Sequence, residues 1–402
     1  MKKALAMILA LAFALALAGC GTSEPLLEGV SPAETGSAED AAALSADFTV
    51  ALFNAAYEGG DSLISPVSVL AALAMAESGA RGETLAQMEE AFGVDAETLR
   101  ASLAAYMSSV AGTEAKMANA IWFRDDGTFE PDAGFLSNCA SFAGAEAFAG
   151  KFTDALAGEI NGWVSEHTEG MIDAIVDEID PDAVMYLVNA LSFVADWQEQ
   201  YEEYQMRPGT FHAPEGELEV TMMRSEERSY ISGEGFTGFM KPYEGGRYAF
   251  AALLPDGDSS LEAMLASLTG EALAAALAGA ESRSVITGTP AFSAETGLEL
   301  SEALRSLGMT DAFDGGLADF SGMGQSGAGN IFISRVLHRA FIEVDGLGTR
   351  AGAATAVEAV PESAAPAEDP PEVILDRPFA YMIVDREYNI PLFFGVVTGE
   401  GF

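Results

Sequence analysis

Apolar residues follow several different rhythms along the chain, and each predicts an element. After Ser65-Pro66, a pair suited to a helix cap and first turn, Val67, Val69, Leu70, Leu73 and Met75 point all round a helical wheel. That pattern predicts a helix buried on every side, ended near Gly79. Thr84-Leu85-Ala86-Gln87 fits a capping box for a second helix. Ile160, Trp163, Val164 and His167 fall at i, i+3, i+4 and i+7, an amphipathic helix, and the Ala-rich stretch after Leu261 reads as helix too. Strands are expected at 119–123, 248–254, 331–344 and 391–397. Residues 185–194 form a nearly continuous apolar run around Asn189, the look of a central strand buried on both faces. The exception is 346–372, rich in Gly, Ala, Thr, Pro and Glu, which carries no sustained apolar pattern although it lies between two strand-like segments. A loop this long inside a compact domain is, as a rule, either functional or disordered. No repeat and no linker interrupts 45–345, which predicts one large domain.

The N-terminus is read as an address. Lys2 and Lys3 precede an apolar run at 4–18, short for a bilayer span, that ends in Leu17-Ala18-Gly19-Cys20. The small residues meeting a Cys resemble a bacterial lipoprotein box, with 1–19 as signal peptide and Cys20 as lipid-bearing N-terminus; the alternative is an ordinary secretory signal. Residues 20–44, small and polar with two prolines, read as a flexible tether before a domain at 45–402. The expected location is the cell envelope, lipid-anchored, or the extracellular space.

Charge narrows the partners. The chain has 402 residues, with 19 Lys and Arg against 62 Asp and Glu, a net charge of -43. Losing Lys2 and Lys3 would leave 17 basic residues against 62 acidic ones. Nucleic-acid binding is excluded, because phosphate recognition needs clustered cations. Disorder is excluded by an apolar content of 49%. With Cys139 as the one thiol beyond Cys20, no intrachain disulfide is expected.

Catalytic signatures are missing. The three histidines His167, His212 and His338 form no zinc motif, and neither GxSxG nor SxxK occurs. The hexapeptide 322–327 (GMGQSG) matches GxGxxG but follows no strand and opens no helix, so it is not read as a dinucleotide site. No metal or cofactor is expected.

Twelve short segments then occur in the order typical of one family: 64–68 (ISPVS), 79–84 (GARGET), 119–123 (NAIWF), 160–164 (INGWV), 187–193 (LVNALSF) with Trp197, 241–243 (KPY), 253–255 (LLP), 307–309 (LGM), 318–321 (ADFS), 341–344 (FIEV), 377–379 (RPF) and 391–395 (PLFFG). Over roughly 45–400 the chain resembles a serpin. The resemblance implies an α+β domain of three β-sheets and eight or nine helices with an exposed reactive-centre loop at 346–372. It implies a monomer that is not an enzyme in the turnover sense but a suicide-substrate inhibitor of serine proteases, whose cleaved loop inserts into the main sheet and traps the acyl-enzyme. The rival is a non-inhibitory serpin acting as a binding scaffold or plain substrate.

Insertion requires alternate side chains to face inward. Within the hinge formed by Gly348, Thr349, Arg350, Ala351, Gly352, Ala353, Ala354 and Thr355, one alternating set (Thr349, Ala351, Ala353, Thr355, continuing to Val357 and Ala359) is small or β-branched and uncharged. Both charges, Arg350 and Glu358, fall on the other set. The family usually carries acidic residues where Gly346, Leu347 and Arg350 stand; Gly346 is expected to loosen the hinge and Leu347 to dock on the body. The family's spacing places the scissile bond at Glu362-Ser363, which implies a glutamate-preferring protease; a bond after Val360, Ala364 or Ala365 would suit elastase- or subtilisin-like enzymes. Ser65, Ser68, Asn189 and His338 match the polar cluster beneath the sheet, and Trp197 the tryptophan at its top. With three lysines left after export, a heparin-type cofactor is not expected.

Overall fold

The computed structural model describes residues 23–27, 38–180, 183, 185–327, 329–349 and 369–402. Among the described residues, nine α-helices surround several β-sheets, a mixed α+β architecture. The helix Pro66–Gly79 (here α2) is buried over almost its whole length, as its all-round apolar pattern predicts. Pro66 supplies the first turn, while the Ser65 side chain makes no capping bond. The next helix, Gly82–Phe92 (α3), begins three residues earlier than expected. Thr84 is therefore inside it, and its hydroxyl accepts from the Asp319 backbone N–H at 2.9 Å instead of capping. Asp95 and Asp132 do cap the helices Ala96–Val110 (α4) and Ala133–Ala143 (α5), each accepting from two backbone N–H groups.

A six-stranded antiparallel sheet forms the back of the molecule. Its strands Tyr248–Pro255, Phe379–Asp385 and Ile390–Val397 have no exposed position, which explains their unbroken apolar sequences. A four-stranded sheet holds Met206–Ala213, Gly216–Glu227, Val285–Pro290 and Glu372–Ile374. The would-be dinucleotide motif lies in a two-stranded ribbon, Gly324–Ser326 against Phe129–Pro131.

The third, main sheet comes in two halves. One half runs Glu24–Leu27 (β1), Glu146–Gly150 (β3), Ala115–Arg124 (β2) and Met185–Phe193 (β4). The other runs Phe292–Glu299 (β6), Leu337–Val344 (β7), Gly348–Thr349 (β8) and Ala195–Asp196 (β5). Three expectations change here. Among the described residues the run at 185–194 is an edge strand, not a central one. The strand foreseen over 331–344 is assigned only from Leu337, and 331–336 carries no ladder. The 20–44 stretch is not tether throughout: Glu24–Leu27 adds antiparallel to β3, and the first helix (α1) begins at Ala38. A strand of three exposed residues and one proline gives no periodic signal, which is why composition alone read as linker.

Candidate functional site

The gap between β4 and β7 is the focal feature. Met185, Leu187 and Asn189 wall one side, and Ile333, Val336 and His338 the other. Helix α2 underlies the opening with Ser68, Val69, Ala72, Leu73 and Ala76, leaving a cavity of about 130 Å³. The neighbouring edge of β4 offers backbone N–H and C=O groups to any strand that enters.

The gap closes at one end, called the top here. Thr349 pairs with Val344 on one side and Ala195 on the other, and Gly348 with Asp196. The root of the 346–372 segment is thus already a two-residue strand between the sheet halves. Thr349 points inward, as the alternation predicts, at 1% exposure. Its hydroxyl meets the Tyr243 hydroxyl at 2.5 Å. Trp197 lies flat on Tyr243, with ring centroids 4.5 Å apart, and its indole N–H donates to the Asp345 carbonyl at 2.8 Å. The Trp197 backbone N–H donates to the Leu347 carbonyl and that of Tyr201 to the Gly346 carbonyl, each at 2.9 Å. The Asp345 carboxylate accepts from the Leu347 and Gly348 N–H groups, which shapes the turn into β8. Beneath it, Lys241 pairs with Glu227 at 2.8 Å and sits over the Tyr201 ring. Gly346 is accordingly buried and held, not a loose hinge; a Cβ there would come 2.6 Å from the Met206 sulfur. Leu347 is half-buried, consistent with docking.

At mid-gap the four predicted polar residues converge, but as two separate sets among the described residues. The Ser65 backbone N–H donates to His338 Nε2 at 2.9 Å. Nε2 must therefore be unprotonated, so the ring is neutral. Burial pushes this imidazole down to about 4. The Ser65 hydroxyl is buried without a hydrogen-bond partner. In the second set the Ser68 hydroxyl donates to Asn189 Oδ1. Asn189 Nδ2 donates to Asn119 Oδ1 at 2.7 Å, and Asn119 Nδ2 to the Ala143 carbonyl at 2.7 Å. Asn119 was missed by the sequence reading. Its signal was an amide inside an otherwise apolar strand, and the register sets it directly opposite Asn189. Tyr243, Tyr201 and Asp345 were missed because nothing local marks which residues meet at the top. Arg350, Ala351, Gly352, Ala353, Ala354, Thr355, Glu362, Ser363 and Cys20 lie outside the described residues.

Two expected outcomes follow. A buried neutral His338 binds fewer protons in the folded state than in the unfolded chain, so its contribution is complete above pH 6.5 and is lost as pH falls towards 4. Chemical denaturation at pH 7 and pH 4.5 should show a loss of about 2–3 kcal/mol that His338→Gln lacks. Equal pH dependence in both proteins would refute the assignment. Cys139 is 1% exposed, and burial raises its thiol to about 12. It should ignore a thiol reagent at pH 8 until the protein unfolds, whereas labelling on mixing would contradict the packing.

Comparison with known proteins agrees with this architecture. The family described as "Serpin (serine protease inhibitor)" matches residues 43–399. Human Serpin B8 is 32% identical over 366 residues, covering 87% of this chain and 96% of that protein. The thermophilic serpin Tengpin in its native state superposes with a TM-score of 0.87 at 38% identity, covering 94% of this chain and 100% of that one. Its latent state gives 0.79 at 39% identity, covering 89% and 97%.

Proposed function

This chain belongs to the serpin family, and from that premise we propose that it is a suicide-substrate inhibitor of serine proteases, exported and lipid-anchored through Cys20. The observation that carries the inhibitory reading is the gap between β4 and β7, already entered by Gly348-Thr349 and followed in sequence by Arg350-Ala351-Gly352-Ala353-Ala354-Thr355. Small alternating side chains can follow Thr349 over the α2 floor without a clash. In the proposed sequence of events a protease serine attacks the carbonyl of Glu362, and the Glu362-Ser363 bond breaks as the acyl-enzyme forms. The freed strand then slides between β4 and β7 with the enzyme attached. The energy comes from pairing two sheet edges at once and from burying the apolar gap; the intact form persists because the sheet must part first. A glutamate-preferring enzyme fits Glu362; cleavage after Val360, Ala364 or Ala365 would indicate an elastase- or subtilisin-like target. The protein itself would turn over nothing, and a monomer suffices for the mechanism.

Incubation with a panel of serine proteases tests this. An SDS-resistant complex with at least one of them, lost in Glu362→Pro for a glutamate-specific enzyme, is the expected result. Clean cleavage with every protease and no complex would favour a non-inhibitory scaffold, a reading for which Arg350 in the hinge speaks. His338→Ala removes the acceptor for the Ser65 N–H at the floor of the gap and should speed spontaneous loop insertion on mild warming, read as loss of inhibitory capacity with time. An unchanged rate would count against a gating role for that contact.

A further inference from the structure

The N-terminal edge strand fixes which way an anchored molecule faces. β1 enters beside Gly150, with Glu24 opposite Ala149 and Leu27 opposite Ala147. Gly150 in turn lies opposite Arg124 at the end of β2. The other end of β2, Ala115, is paired with Phe193 of β4. Two residues beyond Phe193, Ala195 holds Thr349 at the root of the loop. The chain therefore enters the domain at the pole opposite the loop. β2 has ten residues, which at about 3.3 Å per residue puts the two ends roughly 30 Å apart. The entry is fastened at both ends: the Ser23 backbone N–H donates to Glu159 of the helix Asp154–His167 (α6) at 3.0 Å, and Leu27 packs on the core.

Cys20 is three residues before Ser23, a reach of about 10 Å. Without β1 the free tether would extend to α1 at Ala38, 18 residues on, with a typical span of about 25 Å and free rotation. We propose that β1 converts the tether into a short stem, so that a molecule attached through Cys20 stands with the Gly150 pole against the lipid surface and the loop root facing away from it. This rests on the lipid-anchor reading above, and it supplies what an anchored inhibitor needs: a bait held clear of its own membrane.

The test couples the chain beginning at Cys20 to maleimide-lipid vesicles through the Cys20 thiol, with Cys139 buried and silent. A donor dye is placed by an azide-bearing residue at exposed Ala111 or exposed Asp125, which flank the two ends of β2, with acceptor-labelled lipid in the bilayer. Energy transfer should be several-fold greater from 125 than from 111. Leu27→Pro, which removes a ladder N–H from β1, should bring the ratio towards one while leaving the thermal midpoint of the body within a few degrees. Equal transfer in the unsubstituted chain, or an unchanged ratio in Leu27→Pro, would overturn the proposal. The anchor is tested apart: a fatty-acid analogue fed to bacteria expressing the full chain should label it, and Cys20→Ala should not be labelled. Absence of label would overturn the lipid reading, while the vesicle experiment would still report on β1.

Discussion

Thr349→Arg should convert the protein, on the proposed mechanism, from an inhibitor into a substrate. Thr349 is wedged between Val344 and Ala195 with its hydroxyl on Tyr243, at 1% exposure. A guanidinium cannot be accommodated there without either burying an unpaired charge, at several kcal/mol, or pulling β8 out of the sheet. Either way the first step of insertion slows, and each 1.4 kcal/mol added to its barrier slows it about tenfold. Deacylation of the protease does not depend on that step, so the balance between trapping and hydrolysis tips to hydrolysis. The measurement is the ratio of SDS-stable complex to cleaved inhibitor for any protease that the unsubstituted protein traps. It should fall at least tenfold, while the rate of loop cleavage stays within a factor of a few. Tyr243→Phe, which leaves the Thr349 hydroxyl without its partner at about 1–3 kcal/mol, should produce a smaller shift in the same direction. Undiminished complex in Thr349→Arg would remove the loop root from the mechanism.

Cleavage in the loop should raise the unfolding temperature by roughly 10–15 °C. Among the described residues the gap leaves one edge of β4 and the unladdered 331–336 stretch without a strand partner between them, above an apolar floor of Val69, Ala72, Leu73 and Ala76. A strand continuing from Thr349 would acquire hydrogen bonds on both sides and cover that floor. Each bond is worth about 1 kcal/mol net and each buried methylene about 0.8 kcal/mol, so six to eight residues contribute on the order of 10 kcal/mol. That rivals the usual folding margin of roughly 5–15 kcal/mol. For a domain of about 360 residues, an unfolding entropy of about 2.1 cal/mol/K per residue makes each kcal/mol worth about 1.3 °C, so on the order of 10 kcal/mol moves the midpoint by roughly 13 °C. Calorimetry of intact protein against protein nicked in the loop by a protease that is not trapped provides the comparison. Coincident melting curves would mean that the cleaved strand stays outside the sheet.

Much of the scaffold was legible because its core strands and helices carry their environment in their periodicity. The buried helix at Pro66, the amphipathic helix with Trp163 and the solid strand at Tyr248 each announce how many faces they bury. The open sheet was not legible, for a physical reason. β4 has the composition of a strand flanked on both sides, yet among the described residues it pairs on one side only. On the proposed mechanism that composition suits a sheet filled by the loop strand. The polar residues at mid-gap were named through the family resemblance, whereas their division into Ser65 with His338 and Ser68 with Asn189 and Asn119 required coordinates. Gly346 shows the opposite failure. A glycine in a hinge reads as slack, but here the position is buried, and a Cβ would come 2.6 Å from the Met206 sulfur, so that side chain would have to move.

The short strand β1 has a mechanical meaning that emerges only when motion is considered. An enzyme carried on a strand that enters at Thr349 and runs the length of β4 would arrive at the Gly150 end, where, on the proposed anchoring, the chain leaves for the lipid surface. Cargo and mooring would then compete for one berth. β1 is suited to yield: it has three paired positions, a register break after Pro25 and three exposed residues. Peeling it would release the chain back to Ala38 as slack, enough for the body to lift and let the trapped protease in beneath. A cross-link between Glu24→Cys and Ala149→Cys, which sit opposite each other, should therefore slow complex formation on vesicles and leave it unchanged in solution.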